Sequence, residues 1–168
     1  MGRQVRMVPE NWVHPKRDGR YVPLLIGPFE DCLKEWEEGR EKWKEGFRED
    51  FSEGGWKPLT DEEKELTFED WDGEKPVAED YMPMFKDGEV THLMMYENTS
   101  EGTPISPAFP TPEELATWLF ENNASAFAGN TASYDSWLAT CKSGYAPTAM
   151  FSQKTGIISG VEANGRES

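Results

Sequence analysis

Negative charge is concentrated in residues 61–80, DEEKELTFEDWDGEKPVAED, and this segment constrains the fold more than any other part of the chain. It holds ten acidic residues and two lysines, a net charge of −8, whereas the whole chain carries −15. Large apolar residues are threaded through the acids at Leu66, Phe68, Trp71 and Val77. Because of these apolar residues, we expect a folded acidic surface and not a disordered acidic tail.

The hydrophobic core has to be built largely from aromatic side chains. Only 36% of the 168 residues are hydrophobic, but they include seven Trp, nine Phe and five Tyr. Each aromatic side chain buries about 150–250 Å², so a modest number of them can close a small core. The length favours one domain, or one domain with appendages.

The predicted architecture is a single α+β domain over residues 20–161, in which a small, mostly antiparallel sheet packs against about three helices. An acidic helical region at residues 30–89 would form an appendage of this domain. Residues 1–19 contain Pro9, Pro15 and Gly19 and no sustained hydrophobic period, which predicts an N-terminal arm. Residues 162–168 are predicted to form a flexible tail.

Helix signals are clearest at three places. After Pro28, the apolar spacing predicts an amphipathic helix of about five turns. A second helix should begin at Thr111, because Thr111 and Glu114 form a capping box around a proline at the first helical position. A third is predicted from Ser133 to Gly144. Weaker caps predict two short helices or turns that end at Asp72-Gly73.

Strand signals are weaker than the helix signals. The segment EVTHLMMY at 89–96 is the best candidate, and residues 146–152 and 156–161 predict two strands joined by a turn at 153–155. Residues 98–110 are rich in Pro, Ser and Thr, so we expect an ordered but irregular loop there.

Several segments of the chain resemble one group of proteins. These segments are GRQVRMVPENWVHPK at 2–16, DYMPMF at 80–85, EGTPISPAF at 101–109, TPEELATWL at 111–119, NASAFAG at 123–129 and TASYDSWLATC at 131–141. Together they resemble an uncharacterised family of short accessory proteins encoded by tailed bacteriophages and prophages. The resemblance implies a small accessory phage protein, and it implies no active site. Two cysteines without motif spacing and no apolar run near the N-terminus predict a cytoplasmic location, which for a phage protein is the host bacterial cytoplasm. By analogy, many such proteins bind and disable a host factor.

Catalytic, metal and cofactor signals are weak. His14, His92, Cys32 and Cys141 are the only histidines and cysteines that could bind a metal through nitrogen or sulfur, and their spacing matches no metal motif. Cys141 is expected on the inward face of a helix, where cysteine behaves as a small hydrophobe. Phosphate-binding glycine motifs and nucleophile elbows are missing from the sequence. We therefore expect no metal, no cofactor and no enzymatic activity.

The acidic segment supports the leading functional hypothesis. As a helix, residues 61–80 would span about 30 Å, over which one DNA strand carries about nine phosphates. We therefore predict nucleic-acid mimicry that inhibits a host nucleic-acid-handling or defence complex, such as a CRISPR effector. The predicted partner-binding patch consists of nine acids and two aromatic anchors: Asp61, Glu62, Glu63, Glu65, Glu69, Asp70, Asp72, Glu79, Asp80, Phe68 and Trp71.

The charge also restricts the partner. An acidic surface repels nucleic acids and anionic membranes, and it attracts basic proteins. We expect a host protein or ribonucleoprotein with a basic surface, and no direct contact with nucleic acid or membrane.

Three other interpretations stay open. The acidic segment can be a solvated surface that only keeps the protein soluble. The chain can be a small enzyme or ligand-sequestering protein with its pocket near residues 98–111, in the predicted loop and the helix start that follows it. It can also be a structural protein of the phage particle.

Overall fold

The computed structural model describes residues 2–98, 102–152 and 156–166. Its strands and helices follow in chain order: β1 (Arg3–Val8), β2 (Lys16–Arg17), β3 (Arg20–Tyr21), α1 (Phe29–Lys44), β4 (Phe47–Glu49), β5 (Trp56–Pro58), α2 (Phe68–Asp72), β6 (His92–Glu97), β7 (Thr103–Phe109), α3 (Pro112–Glu121), α4 (Tyr134–Ser143), β8 (Tyr145–Ala146), β9 (Ala149–Ser152), β10 (Gly156–Ser159) and α5 (Gly160–Arg166). Two short 3₁₀ helices lie at Glu63–Glu65 and Ala78–Asp80. None of the helices described is long and apolar enough to cross a membrane.

The chain forms two compact units, where the sequence predicted one domain over residues 20–161. Met1–Leu25 and Pro83–Ser168 form the first, which we call the sheet unit. Ile26–Met82 forms the second, which we call the acidic unit. The predicted α+β class is confirmed, with helices and a small antiparallel sheet.

A four-stranded antiparallel sheet organises the sheet unit, in the order β7-β6-β1-β8. The N-terminal arm predicted at residues 1–19 is therefore wrong, because β1 is an inner strand that pairs with β6 from Arg3↔Glu97 to Val8↔His92. The irregular loop predicted at 98–110 is also wrong over most of its length, because β7 pairs with β6 there. Residues 99–101 lie outside the described part of the chain.

Two buried arginines explain why β1 has no apolar pattern. The Arg3 guanidinium donates to the Ser125 carbonyl at 2.6 and 2.8 Å and lies 3.5 Å from the Glu97 carboxylate. Arg6 donates to the Leu24 carbonyl at 2.7 Å and stacks on a ring of β6, at 4.4 Å from the Tyr96 centroid. These contacts replace water around most of both guanidinium groups, although Arg6 Nε is buried without a hydrogen-bond partner among the described residues. A basic segment can therefore form an inner strand.

The helices α3, α4 and α5 pack against the sheet and form the hydrophobic core of the sheet unit. Leu115 and Leu119 of α3, Trp137 of α4 and Val161 of α5 are fully buried in one cluster with Met95 of β6. The predicted N-caps of α3 and α4 are confirmed, since the Thr111 and Ser133 side chains accept hydrogen bonds from the third helical residue.

The C-terminal tail predicted at 162–168 is helical as far as it is described. The helix α5 extends to Arg166, and residues 167–168 lie outside the description. The Glu162 carboxylate accepts from the Ser133 backbone N–H at 2.9 Å, and Asn164 donates to the Thr140 hydroxyl at 3.1 Å. These contacts with α4 and its cap residue hold α5 in place. The strands β9 and β10 pair as predicted, and their connecting turn at 153–155 is not described.

An aromatic cluster forms the core of the acidic unit. The Phe68 ring lies 5.3 Å from the Trp36 ring and 5.9 Å from the Trp43 ring, measured between centroids. The helix α1 continues through Gly39, where a Cβ atom would lie only 2.9 Å from the Phe68 ring. The glycine in the middle of α1 therefore makes room for the aromatic ring of another element.

Candidate protein-interaction site

The two units differ sharply in net charge. The acidic unit holds 20 acidic and eight basic residues, a net charge of −12, whereas the sheet unit holds 12 and nine, a net charge of −3. Seven of the eight basic residues of the acidic unit pair with carboxylates, and the eighth is Lys34. Thirteen carboxylates of this unit, all within the described residues, are left without an ion-pair partner. These unpaired carboxylates would attract a protein with a basic surface.

The acidic segment is not a continuous helix. Its regular structure is limited to Glu63–Glu65, Phe68–Asp72 and Ala78–Asp80, with irregular backbone between them. The two short helices ending at Asp72-Gly73 are confirmed. The comparison between a ~30 Å helix of residues 61–80 and one DNA strand therefore fails, because the charges are not spaced along one axis.

Eight of the nine predicted acids are exposed to solvent, and Glu63 is half-buried. Glu63 pairs with Arg48 at 2.6 Å, and Glu69 lies 3.7 Å from Arg40. Hydrogen bonding from the Thr60 backbone N–H, together with Arg48, lowers the pKa of Glu63 below its ordinary value. These two carboxylates stabilise the unit itself, so they are the least available to a partner.

Local caps also occupy two of the predicted acids. Asp70 closes the capping box of α2, where hydrogen bonds from the Thr67 hydroxyl and backbone N–H lower its pKa. Asp61 pairs with Lys64 at 2.8 Å, and this contact lowers the pKa of Asp61. The remaining five acids make no ion pair within the described residues: Glu62, Glu65, Asp72, Glu79 and Asp80.

The two predicted aromatic anchors have different environments. Phe68 is 8% exposed and forms the centre of the aromatic cluster, so it packs inside the unit and offers little surface to a partner. Trp71 is 37% exposed, and its ring lies 5.7 Å from the Trp43 ring. Trp71 thus reaches the surface while packing on the core.

A cleft of about 300 Å³ opens on the acidic unit beside Trp71, and we call it the tryptophan cleft. Three elements converge there: one face of α1, the hairpin of β4 and β5, and α2 with the residues that follow it. The aromatic lining consists of Trp36, Phe51, Trp56, Phe68 and Trp71, and the acidic lining of Glu35, Glu49, Asp72 and Glu74. Of the predicted patch, only Phe68, Trp71 and Asp72 line it.

The hairpin explains how distant residues meet in the tryptophan cleft. Glu49 of β4 pairs directly with Trp56 of β5, and the loop between them carries Phe51. Asp50 fixes that loop, since it accepts hydrogen bonds from the Ser52 backbone and hydroxyl and pairs with Lys57 at 3.2 Å. Sequence reasoning missed this part of the site. The available signal was the set of tryptophans at 36, 56 and 71, close to acidic residues.

A second cavity, of about 830 Å³, lies in the sheet unit, and we call it the aromatic groove. It follows residues 104–108 of the edge strand β7 and is bordered by Trp12, Tyr21 and Trp118. It therefore overlaps the region near 98–111 where the sequence suggested a pocket.

Buried polar groups at the aromatic groove are already hydrogen-bonded. His14 donates from Nε2 to the Val22 carbonyl at 2.6 Å, which leaves Nδ1 to accept from the Tyr96 hydroxyl at 3.1 Å. Trp12 donates to the same hydroxyl at 3.2 Å. Burial lowers the pKa of His14, because it disfavours the charged imidazolium. This histidine supports the fold at the groove.

Burial raises the pKa of the Cys141 thiol to about 12, so it stays protonated at neutral pH. Within the residues that the structure describes, no group of three or more His, Cys, Asp or Glu side chains is placed to hold a metal ion.

Comparison of the chain with protein-family models, with curated proteins and with solved structures gives no match.

Proposed function

We propose that this chain is a binding protein whose acidic unit occupies a basic, nucleic-acid-binding surface of another protein. The observation that carries the proposal is the net charge of −12 in Ile26–Met82, a segment whose basic residues are nearly all paired internally. Such a field raises the association rate with a basic surface. It also repels phosphates, which makes the protein a competitor of nucleic acid and not a ligand for it.

The phage-like sequence segments suggest where the partner is found. Under this proposal, the protein acts in the cytoplasm of a bacterial host and inhibits a complex that handles nucleic acid, such as a CRISPR effector. Mimicry here would rest on a compact acidic surface, since the acidic segment is not one helix.

The test uses two variants with the same change in net charge. One neutralises exposed, unpaired acids of the acidic unit: Glu62→Gln, Glu65→Gln, Glu79→Gln and Asp80→Asn. Its control neutralises exposed acids of the sheet unit: Glu10→Gln, Asp87→Asn, Glu114→Gln and Glu121→Gln. Each immobilised protein is incubated with nuclease-treated host lysate, and bound proteins are eluted with salt.

We expect the wild type and the control to retain a nucleic-acid-binding complex that the first variant loses. Added DNA or RNA oligonucleotide should displace the same complex from the wild type. Equal retention by both variants, or retention that oligonucleotides do not reduce, would contradict the proposal.

A second candidate function is favoured by the aromatic groove. Its volume of about 830 Å³ is within the range of small-molecule pockets, and its walls are mainly apolar. Under this alternative the chain binds or sequesters a small aromatic or nucleotide-like molecule. A thermal-shift screen with nucleotides tests it, because a ligand that binds only the folded state raises the unfolding temperature. No shift with any nucleotide would remove the support for this nucleotide-binding alternative.

A further inference from the structure

Two aromatic side chains in the tryptophan cleft have no ring partner among the described residues. Trp36, Phe68 and Trp71 pack on one another or on Trp43. Trp56 is 40% exposed and Phe51 is 76% exposed, and neither takes part in an aromatic or cation–π contact of the described chain. Both belong to the β4–β5 hairpin. The hairpin therefore presents two large rings whose surfaces are available to a ligand.

The carboxylates of the tryptophan cleft have no counter-ion in the described chain. Glu35, Glu49, Asp72 and Glu74 line the cleft, and none of them belongs to an ion pair. The one basic residue in the lining, Arg48, is already neutralised, since its Nε lies 2.6 Å from the Glu63 carboxylate. The cleft thus holds up to four uncompensated negative charges next to aromatic rings.

Arginine already binds indole rings inside the same unit. The Arg48 guanidinium lies 5.0 Å from the Trp71 ring centroid, and Arg40 lies 5.5 Å from that of Trp36. Both guanidinium groups also reach a carboxylate, Glu63 and Glu69 respectively. A planar cation between an indole and a carboxylate is therefore an arrangement that this unit uses twice.

We propose that the tryptophan cleft is a binding pocket for an arginine side chain of the partner protein. The proposal rests on the proposed function, in which the partner presents a basic surface. Guanidinium groups stack on aromatic rings and form bidentate hydrogen bonds with carboxylates, and the cleft offers both. A volume of about 300 Å³ is at the small end of ligand pockets, which suits one side chain.

Arginine is favoured over lysine by the form of the lining. The lysine ammonium is a compact, strongly hydrated charge, whereas the guanidinium is weakly hydrated and flat. A site with exposed indole and phenyl surfaces, such as those of Trp56 and Phe51, therefore gains more from a guanidinium. The pocket would anchor the complex, while the surrounding acids supply long-range attraction.

The proposal is tested without knowledge of the partner, with the peptide acetyl-Gly-Arg-Gly-amide as the probe. The full chain is labelled with ¹⁵N, and the indole N–H resonance of Trp56 is followed in a titration at constant ionic strength. The same peptide with citrulline has nearly the same shape without the charge, and the peptide with lysine has the charge without the flat group.

We expect the arginine peptide to shift the Trp56 resonance. The citrulline peptide should bind at least about tenfold more weakly, because it lacks cation–π attraction and charge-assisted hydrogen bonds. Lysine should lie between them. An equal response to arginine and citrulline, an equal or stronger response to lysine, or no response at Trp56 would overturn the proposal.

Charge variants locate the site. Replacing the four carboxylates of the cleft (Glu35→Gln, Glu49→Gln, Asp72→Asn and Glu74→Gln) should abolish the arginine response. A control with four neutralised acids outside the cleft (Glu38→Gln, Glu53→Gln, Glu62→Gln and Glu65→Gln) should keep most of it. If both variants lose the response equally, the cleft is not the site.

This experiment separates the inference from the proposed function. An arginine response in the cleft supports the pocket even when lysate capture finds no nucleic-acid-binding complex. Capture that depends on the acidic unit, without any arginine response, leaves the proposed function in place and refutes the pocket.

Discussion

Replacement of Phe68 with alanine should strongly destabilise the acidic unit. The ring is 8% exposed and lies between Trp36 and Trp43, and truncation of such a buried phenylalanine costs about 3–5 kcal/mol. Natural domains have about 0.05–0.15 kcal/mol of stability per residue, so the 57 residues of Ile26–Met82 hold about 3–9 kcal/mol. The substitution therefore removes about a third or more of the free energy of unfolding, and all of it at the lower end of this range.

Urea unfolding followed by tryptophan fluorescence measures this loss. Four of the seven tryptophans lie in the acidic unit, at positions 36, 43, 56 and 71, so its unfolding gives a large signal. Hydrogen exchange of the backbone amides reports on the two units separately, and we expect exchange protection to fall in Ile26–Met82. Phe51→Ala is the matched control, because Phe51 belongs to the same unit and is 76% exposed.

The control should change the urea midpoint very little, since surface substitutions usually stay within about 0.5 kcal/mol. If Phe68→Ala and Phe51→Ala unfold at the same urea concentration as the wild type, the ring of Phe68 is not part of a core. Loss of partner binding by a Phe68→Ala protein with wild-type stability would make Phe68 a contact residue after all.

Three further predictions concern single side chains. Gly39→Ala should not give the gain of about 1 kcal/mol expected in an open helix, because overlap with the Phe68 ring costs about 1–3 kcal/mol; a full gain in urea unfolding would contradict this packing. Thr111→Ala should destabilise the sheet unit by about 1 kcal/mol through loss of the helix cap, whereas Thr111→Ser should retain most of the stability. The sheet unit should also lose stability as the pH falls below about 6.5, since the buried His14 takes up a proton less readily than it does in the unfolded chain. Urea midpoints between about pH 7.5 and 5.5 test this, and His14→Gln should reduce the pH dependence.

Elements with a local signal were predictable from the sequence. The helix α3 begins at Thr111 because one side chain satisfies a free backbone N–H, and that chemistry is contained in four consecutive residues. The helix α4 ends at Gly144, whose φ of 82° is costly for other residues. The apolar period of α1 likewise depends only on neighbours in the same helix.

Elements that depend on distant partners were not predictable. The strand β1 shows no apolar alternation, because two of its buried positions hold Arg3 and Arg6, and the carbonyl groups that accept from them come from elsewhere in the chain. The strand β7 contains Pro104 and Pro107, and these prolines favoured the prediction of a loop. Because β7 lies at the edge of the sheet, the missing backbone donors are tolerated. In both cases the tertiary contacts override the local pattern.

The candidate site was predictable in charge but not in position. Composition located the acids in residues 61–80, yet the tryptophan cleft takes only Asp72 and Glu74 from the acids of that segment. Its other carboxylates, Glu35 and Glu49, come from α1 and β4, where nearby basic residues lower the net negative charge of the sequence. The convergence of α1, the hairpin and α2 could not be inferred from spacing.

The exposed rings of the acidic unit bear on whether its charge serves only solubility. Carboxylates alone keep a protein soluble, and for that purpose exposed large aromatic groups are a cost, because they promote association. Phe51 and Trp56 are nevertheless exposed beside uncompensated carboxylates in a cleft. A selective advantage that requires both kinds of group explains this combination, and recognition of a flat cation is one. Phe51→Ser should therefore preserve folding and solubility while weakening the arginine response of the Trp56 resonance, whereas a purely solubilising surface would leave no arginine response to lose.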